Sequence, residues 1–327
     1  MESLRLFGCQ GGKVDNAFKS ILDKGDIILD CLPGRFAPGM AKLCVQYKLH
    51  YVNLTEYVTE TNAIIQIAKG AETGFVLQTG VAPGFVNILG HMLYKEFQRK
   101  YETDQLDLME MKVGAISQNA SAPHFYAFTW SPIGVATEYV KEAIVVRDNE
   151  VVSVPSLSDR QELMLNGKRY EDDFTSGGAA DFPEAFKEKV KNLHYKTLRF
   201  VGHYKWVQNE IERIVNQPNL STLLEKSMLS SVPSVENDHV VIYCRVLGKD
   251  HNDRLRGIDK LVNVYPQKVG NQILRAIQST TASALCESAR MLLTGSLKNG
   301  VHLQSSIEPE SFMEGSFIKM VYGDVLN

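Results

Sequence analysis

The chain has 327 residues, of which 44% are hydrophobic and 22% charged. That is ample material for a large core and too apolar for a disordered chain; the length suggests two domains, or one large domain with an insertion. The formal net charge is −3 with no long basic run, which excludes nucleic acid and an anionic membrane as main partners. No stretch approaches the roughly 20 apolar residues of a membrane span, and MESLRLFGCQ lacks an export leader. Cys9, Cys31, Cys44, Cys244 and Cys286 are scattered without a C-x-x-C pair, the pattern of a cytoplasmic protein with reduced thiols and no metal.

In chain order, FGCQGGKV (7–14) stands between an apolar run and a helical pattern. DIILDC (26–31) is continuous and apolar, as a parallel strand buried on both faces is, and Cys31 at its end is expected in the core. Residues 38–48 carry Met40, Leu43, Cys44 and Tyr47 at helical spacing. HYVNL (50–54) is a second strand, 60–70 a helix closed by a glycine, GFVLQT (74–79) a third strand, and 85–99 a long helix. This alternation predicts a doubly wound α/β unit of Rossmann type.

After residue 105 the pattern changes. LDLMEMKVGAIS and EAIVVRDNEVVSV alternate as half-exposed strands do, the second turning at Asp148 and Asn149. HFYAFTW is read as a strand beginning at His124, and HVVIYCRVLGKD and RGIDKLVNVYP as further strands. TTASALCESARMLL (280–293) is a helix whose apolar stripe needs a partner, so it is expected to return to the first domain. The division predicted is 1–105 Rossmann-like, 106–275 an inserted α+β domain with a mixed sheet, and 276–327 a returning helix and tail.

Ligands of an open parallel sheet sit beyond the carboxyl ends of its strands. The loops there are Leu32-Pro33-Gly34, then Leu54, Thr55, Glu56 and Tyr57, then Thr79 with Gly80, Val81, Ala82, Pro83 and Gly84. All are rich in small residues where bulk would block a flat ring. The third opens a helix, so free backbone N–H groups are expected to face an anion or amide.

DIILDCLPGRFAPGMAKLCVQYKLHYVNLTEY, TGVAPGFVNILGHML, FYAFTWSPIGVATEYVKEAIVVRDNEVV, TLRFVGHYKW and TTASALCESARMLLTG, in this order, resemble the saccharopine dehydrogenase family, including L-lysine dehydrogenases and saccharopine reductases. The resemblance implies NAD or NADP on the Rossmann domain, an amino-acid substrate on the inserted domain, and hydride transfer at a CH–NH bond. It also implies that the usual first strand and G-x-G-x-x-G turn have no counterpart here. Residues 4–7 are then the third strand, FGCQGG is a surface turn, and weak NAD(P) binding is expected.

Arg199 in TLRFVGH is the candidate for a substrate carboxylate, its planar fork matching two oxygens, with an interdomain salt bridge as the alternative. His203, four residues on, shares its face if the segment is helical, and is a candidate proton carrier or a structural histidine. Tyr126 and Trp130 either wall an aliphatic stem or pack in the core; Thr129 and Ser131 are candidate polar contacts. Glu56 and Tyr57 are candidates to bind an amine or relay a proton, against the plain reading of a solvated loop. His124 is a weaker candidate, and His91 is expected to be packed or exposed within its helix. The reading is an oxidoreductase, a homodimer through the middle domain. The alternatives are a catalytically silent dimeric relative and a polyamine-synthesising relative.

Overall fold

A computed structural model describes residues 16–119 and 121–324. The FGCQGG turn and the strand expected at 4–7 lie outside the described residues. Helix α1 (Asn16–Leu22) leads into strand β1 (Ile27–Asp30). A single 3-10 turn, Gly34–Phe36, starts α2 (Ala37–Tyr47), where Pro38 stands in the first turn and so removes no intrahelical bond. Then come β2 (His50–Asn53), α3 (Val58–Ile67), β3 (Gly74–Val76) and α4 (Phe85–Tyr101).

The strand-rich region follows. It opens with β4 (Leu106–Ser117) and α5 (Pro132–Val140). Strands β5 (Ala143–Arg147) and β6 (Glu150–Val154) form a hairpin turned at Asp148 and Asn149, which take the positive φ values 49 and 67 that a tight hairpin demands. Next are the hairpin β7 (Gln161–Leu165) and β8 (Lys168–Phe174), then α6 (Phe182–Phe186), β9 (Val190–Arg199), α7 (His203–Ile214) and α8 (Leu220–Ser231). The long pair β10 (Asp238–Lys249) and β11 (Leu255–Val264) precedes the short hairpin β12 (Gln267–Val269) and β13 (Gln272–Leu274). The chain closes with α9 (Ala276–Leu293), β14 (Gly300–His302), α10 (Pro309–Met313) and α11 (Ser316–Tyr322).

Two main sheets result, and the fold is mixed α/β. The first is parallel, in the order β1-β2-β3-β14. The second runs β11-β10-β4-β9-β5-β6, with β8 beside β9 and β7 beside β8; β4 and β9 are parallel and their other neighbours antiparallel. Alternation along β4 sends Met109, Met111 and Val113 into the main core with α4 and α9. Glu110 and Lys112 take the opposite face, where Lys112 Nζ lies 2.6 Å from Asp172 Oδ2 and Lys196 Nζ 3.1 Å from Asp172 Oδ1. No described helix is long and apolar enough to cross a membrane.

Helix α9 joins the sheets. Asp238, at the start of β10, accepts from the backbone N–H groups of Ala276 (2.7 Å) and Ile277 (2.8 Å), capping α9 from the mixed sheet. Farther along, Ser288 meets Thr79 at the end of the parallel sheet, their hydroxyls 2.7 Å apart. The chain then adds β14 beside β3.

Two strand expectations are corrected. DIILDC is not buried on both faces: Leu29 is 42% exposed, and among the described strands β1 pairs only with β2. HFYAFTW is not a strand but an irregular segment. Its one bridge is Phe128 to Ser234, and Tyr126 and Phe128 instead pack in a cluster with α5, α7 and α8. Packing of aromatic rings, rather than ladder pairing, fixes its course.

Candidate active site

The loops after β1, β2 and β3 meet the mixed sheet across a cleft of about 430 Å³. One side is Cys31, Leu54, Glu56 and residues 80–83. The other is Val113 and Ala115 of β4, Tyr195, Thr197 and Arg199 of β9, and Trp130, Ser131 and Glu138 at α5, with Ile277 and Thr281 of α9 completing it. A second hollow of about 440 Å³ follows the loops holding Leu32, Pro33, Gly34, Thr55 and Tyr57, and shares Cys31, Leu54, Glu56, Trp130 and Ser131 with the first. Cys31 is therefore exposed at the site rather than in the core. The chain leaves β1 at Asp30, whose carboxylate accepts from Leu32 N (3.0 Å) and Tyr51 OH (2.6 Å), and this pulls the turn over the sheet edge.

The loop from Thr79 to Gly84 is closed on itself. Gly84 has φ 132, and a Cβ there would run into the Gly80 carbonyl. The expectation of free N–H groups is corrected. Gly84 N donates to Asn87 Oδ1, Phe85 N to Gly80 O, Val86 N to Val81 O and Asn87 N to Gly84 O, so the start of α4 is spent on its own loop. Gly80, Val81, Ala82 and Pro83 line the cleft by shape. Gly84→Ala is expected to cost about 3 kcal/mol or more, lowering the melting temperature by roughly 5–10 °C. A thermal melt within a degree of the parent would contradict this.

Arg199 is 1% exposed. Its Nε donates to Tyr139 OH (2.7 Å) and its Nη1 to Leu198 O (3.0 Å), and its guanidinium lies 4.9 Å from the Tyr126 ring centroid. Nη2 has no hydrogen bond and stands 3.7 Å from Glu138 Oε2, which also lacks one. The fork is thus committed on two nitrogens and offers Nη2 to the cleft.

Glu138 was not singled out from sequence. It is 7% exposed, and burial pushes its carboxyl up to about 8, with Arg199 opposing and Glu56 adding to the rise. The available signal was that Glu138 is the single charge in the helix PIGVATEYV. Glu56 is half-buried rather than solvated, and its carboxyl is pushed up to about 7 by burial, with Lys141 opposing. Tyr57 leads into α3, with Lys141 Nζ 4.8 Å from its ring centroid. Burial and then Glu56 push its hydroxyl up.

His203 does not share a helical face with Arg199. Arg199 ends β9, Gly202 turns the chain at φ 106, and His203 begins α7. The imidazole is fully buried and lines none of these hollows. Its Nδ1 faces His124 O at 2.7 Å, and a carbonyl only accepts, so Nδ1 carries the proton. Burial, and then Arg199, push its pKa down to about 3. Neutral Nε2 therefore accepts from Tyr139 OH at 3.0 Å. His203 orients Tyr139, which holds Arg199.

Trp130 is half-buried and lines both hollows, its ring pressed on Gly134. Ser131 lines both while its Oγ accepts from Gly134 N (3.3 Å), capping α5. Tyr126 and Thr129 lie behind the wall, buried, with hydroxyls that have no partner among the described residues. His124 packs edge-on to Trp206 and His91 edge-on to Phe186, both away from the cleft. Among the described residues, no group of three or more His, Cys, Asp and Glu could hold a metal ion.

The second hollow fits the amide end of a nicotinamide. Thr55 Oγ1 is buried there without a partner among the described residues, and Gly34 is held bare because a Cβ would run into Thr55 Oγ1 and the Tyr57 ring. A flat ring with an amide needs one such polar atom in a shallow apolar slot.

A family model, the saccharopine dehydrogenase C-terminal domain, matches residues 80–316. The chain belongs to the saccharopine dehydrogenase family. Among curated proteins it is 25% identical over 148 residues to mitochondrial alpha-aminoadipic semialdehyde synthase of Rattus norvegicus and 23% over 147 residues to that of Mus musculus. Each match covers 44% of this chain and spans 15% of the relative's length. Its fold is that of apo saccharopine dehydrogenase (L-Glu forming) from Saccharomyces cerevisiae, with a TM-score of 0.70 at 13% identity, over 94% of this chain and 87% of that one. Homospermidine synthase from Legionella pneumophila in complex with NAD has the same fold, with a TM-score of 0.65 at 10% identity, over 95% of this chain and 78% of that one.

Proposed function

We propose that the chain is an oxidoreductase that transfers hydride between NAD or NADP and the CH–NH bond of an amino acid of lysine or saccharopine type. The observation that carries this is the buried Arg199 and Glu138, each with a polar atom at the cleft that makes no hydrogen bond, beside a slot formed by Gly34 and Thr55. In this reading Arg199 Nη2 anchors a substrate carboxylate, and Glu138 and Glu56 face the nitrogen. Trp130 walls the aliphatic stem, with Ser131 as a polar contact. Leu32, Pro33, Gly34 and Thr55 hold the nicotinamide end, and residues 80–84 limit its reach. A nicotinamide bound there would supply the hydride acceptor or donor. The side chains orient the substrate and keep water from the reacting carbon.

Two carboxylates against one guanidinium favour a second reading, in which the substrate is a di- or polyamine. Both are tested by incubating the protein with lysine, saccharopine or a diamine and either dinucleotide, following the absorbance of reduced nicotinamide. Turnover with an amino acid is the expected result. Turnover with the diamine alone would transfer the assignment to the second reading, and failure of both dinucleotides to shift the melting temperature would sink both.

A further inference from the structure

A third hollow, of about 260 Å³, lies on the far side of Glu56, between its loop and the segment holding Ser176 and Gly177. Its rim includes Val58, Thr59, Lys141 and Glu142, all exposed, so it opens to solvent. Glu56 is the single residue common to this hollow and the inner cleft, and it lines the nicotinamide-type slot as well. Glu138, whose Oε2 makes no hydrogen bond, lines the inner cleft only.

We propose that Glu138 and Glu56 form a relay that takes a proton from a substrate nitrogen in the inner cleft and delivers it to water in the outer hollow. The proposal rests on the amine-oxidising reading above and adds the route of its proton. Starting from the Glu138 carboxylate, an N–H bond of the substrate ammonium breaks and an O–H bond forms on Glu138, leaving the electron pair on nitrogen. The proton passes from Glu138 to the Glu56 carboxylate, then from Glu56 to water in the outer hollow. No electrons are transferred in these steps and no co-reactant beyond water is consumed. Run backwards, the same route protonates the nitrogen during imine reduction.

The surroundings suit this task. Glu138 is faced by Arg199 and Tyr195 from β9 and by Tyr126 from the segment before α5. Glu56 is faced by Lys141 and Tyr57, with Glu60 along the slot and Glu142 across the outer hollow. Burial brings the two carboxyls to about 8 and about 7, so a proton moves between them without a steep climb. The Glu56 charge, once formed, raises Glu138 further, so the second proton leaves in the field of the first carboxylate. Arg199 cannot give up its proton, and His203 is neutral and walled off, so neither competes for this route.

The test uses the full chain with glutamate labelled with carbon-13 at the side-chain carboxyl, as the parent, Glu56→Gln and Glu138→Gln, with near-ultraviolet circular dichroism reporting that each is folded. Without ligand, two carboxyl signals should titrate near neutral pH, and in Glu56→Gln the midpoint of Glu138 should fall by about half a pH unit or more. L-lysine binding, followed calorimetrically in two buffers of different ionisation enthalpy, should release protons from the parent and none from Glu138→Gln. Glu56→Gln should lower kcat by on the order of 10²-fold, with a larger solvent deuterium isotope effect and little change in KM. Carboxyls that titrate in the ordinary range, or independently, would overturn the relay, as would a Glu56→Gln enzyme with parental kcat and isotope effect. Coupled titration with neither lysine nor saccharopine bound or turned over would overturn the amino-acid reading and leave the coupled pair in place.

Discussion

Replacing Arg199 by leucine is expected to destabilise the protein by about 3–5 kcal/mol above pH 8, where Glu138 is ionised and is left as an uncompensated buried charge. The guanidinium is 1% exposed and faces a carboxylate that is itself buried, so solvent cannot replace it. Tyr139 also loses its donor, while its own bond to His203 remains. Loss of the Nη2 anchor should raise KM for an amino acid by on the order of 10²-fold, the usual effect of truncating a buried charge at a binding site. Arg199→Lys should keep more of the stability than of the binding, because a compact ammonium cannot span the positions that the planar fork reaches with Nε, Nη1 and Nη2. Urea unfolding and steady-state kinetics read both effects. Leucine and parent proteins with equal midpoints and equal KM would refute the assignment.

The second large effect is a pH-dependent stability difference between the parent and Glu138→Gln. In the folded chain the carboxyl keeps its proton up to about 8, whereas its ordinary value is 4.5. Between these values the folded state binds a proton that the unfolded state has released. The stability this group contributes is therefore complete below 4.5 and is lost as pH rises through 8. Glutamine has nothing to release. The two proteins should melt alike near pH 4.5, and the glutamine variant should be more stable by roughly 2–4 kcal/mol at pH 9. Glu56 acts with the same sign up to about 7, but it is half-buried and water screens part of its effect. A gap that stays constant with pH would refute the burial argument.

The fold was legible where pattern and packing agree. LDLMEMKVGAIS alternates because one face meets α4 and α9 while the other carries ionic pairs, and β4 covers those same twelve residues. GVH at β14 is too short to show a period; it is a strand because β3 offers an open parallel edge. His124 to Trp130 reads as a strand from its aromatics, but those rings belong to a helical cluster that only the tertiary structure assembles. In the site, the loops were legible because three small-residue loops fall at one sheet edge and line the hollows there, although the glycines at 80 and 84 also serve a turn closed on itself. Glu138 was not, since a glutamate in a helix is ordinarily solvated, and what sets it apart is its own burial in the folded chain. Arg199 and His203 were individually visible, but the turn at Gly202 that separates them was not.

The parallel sheet takes its fourth strand from the other end of the chain, and this sets an order of events during synthesis. Gln304 closes on Leu77 O across 227 residues. At roughly 5–20 residues per second a ribosome needs on the order of ten seconds or more to make that interval. Throughout it, β3 has an open edge and the mixed sheet has all its strands emerging in turn. The strand-rich region can thus be formed before the parallel sheet is complete. The growing chain then carries an unpaired β3 edge, open to pairing with another chain, until β14 appears.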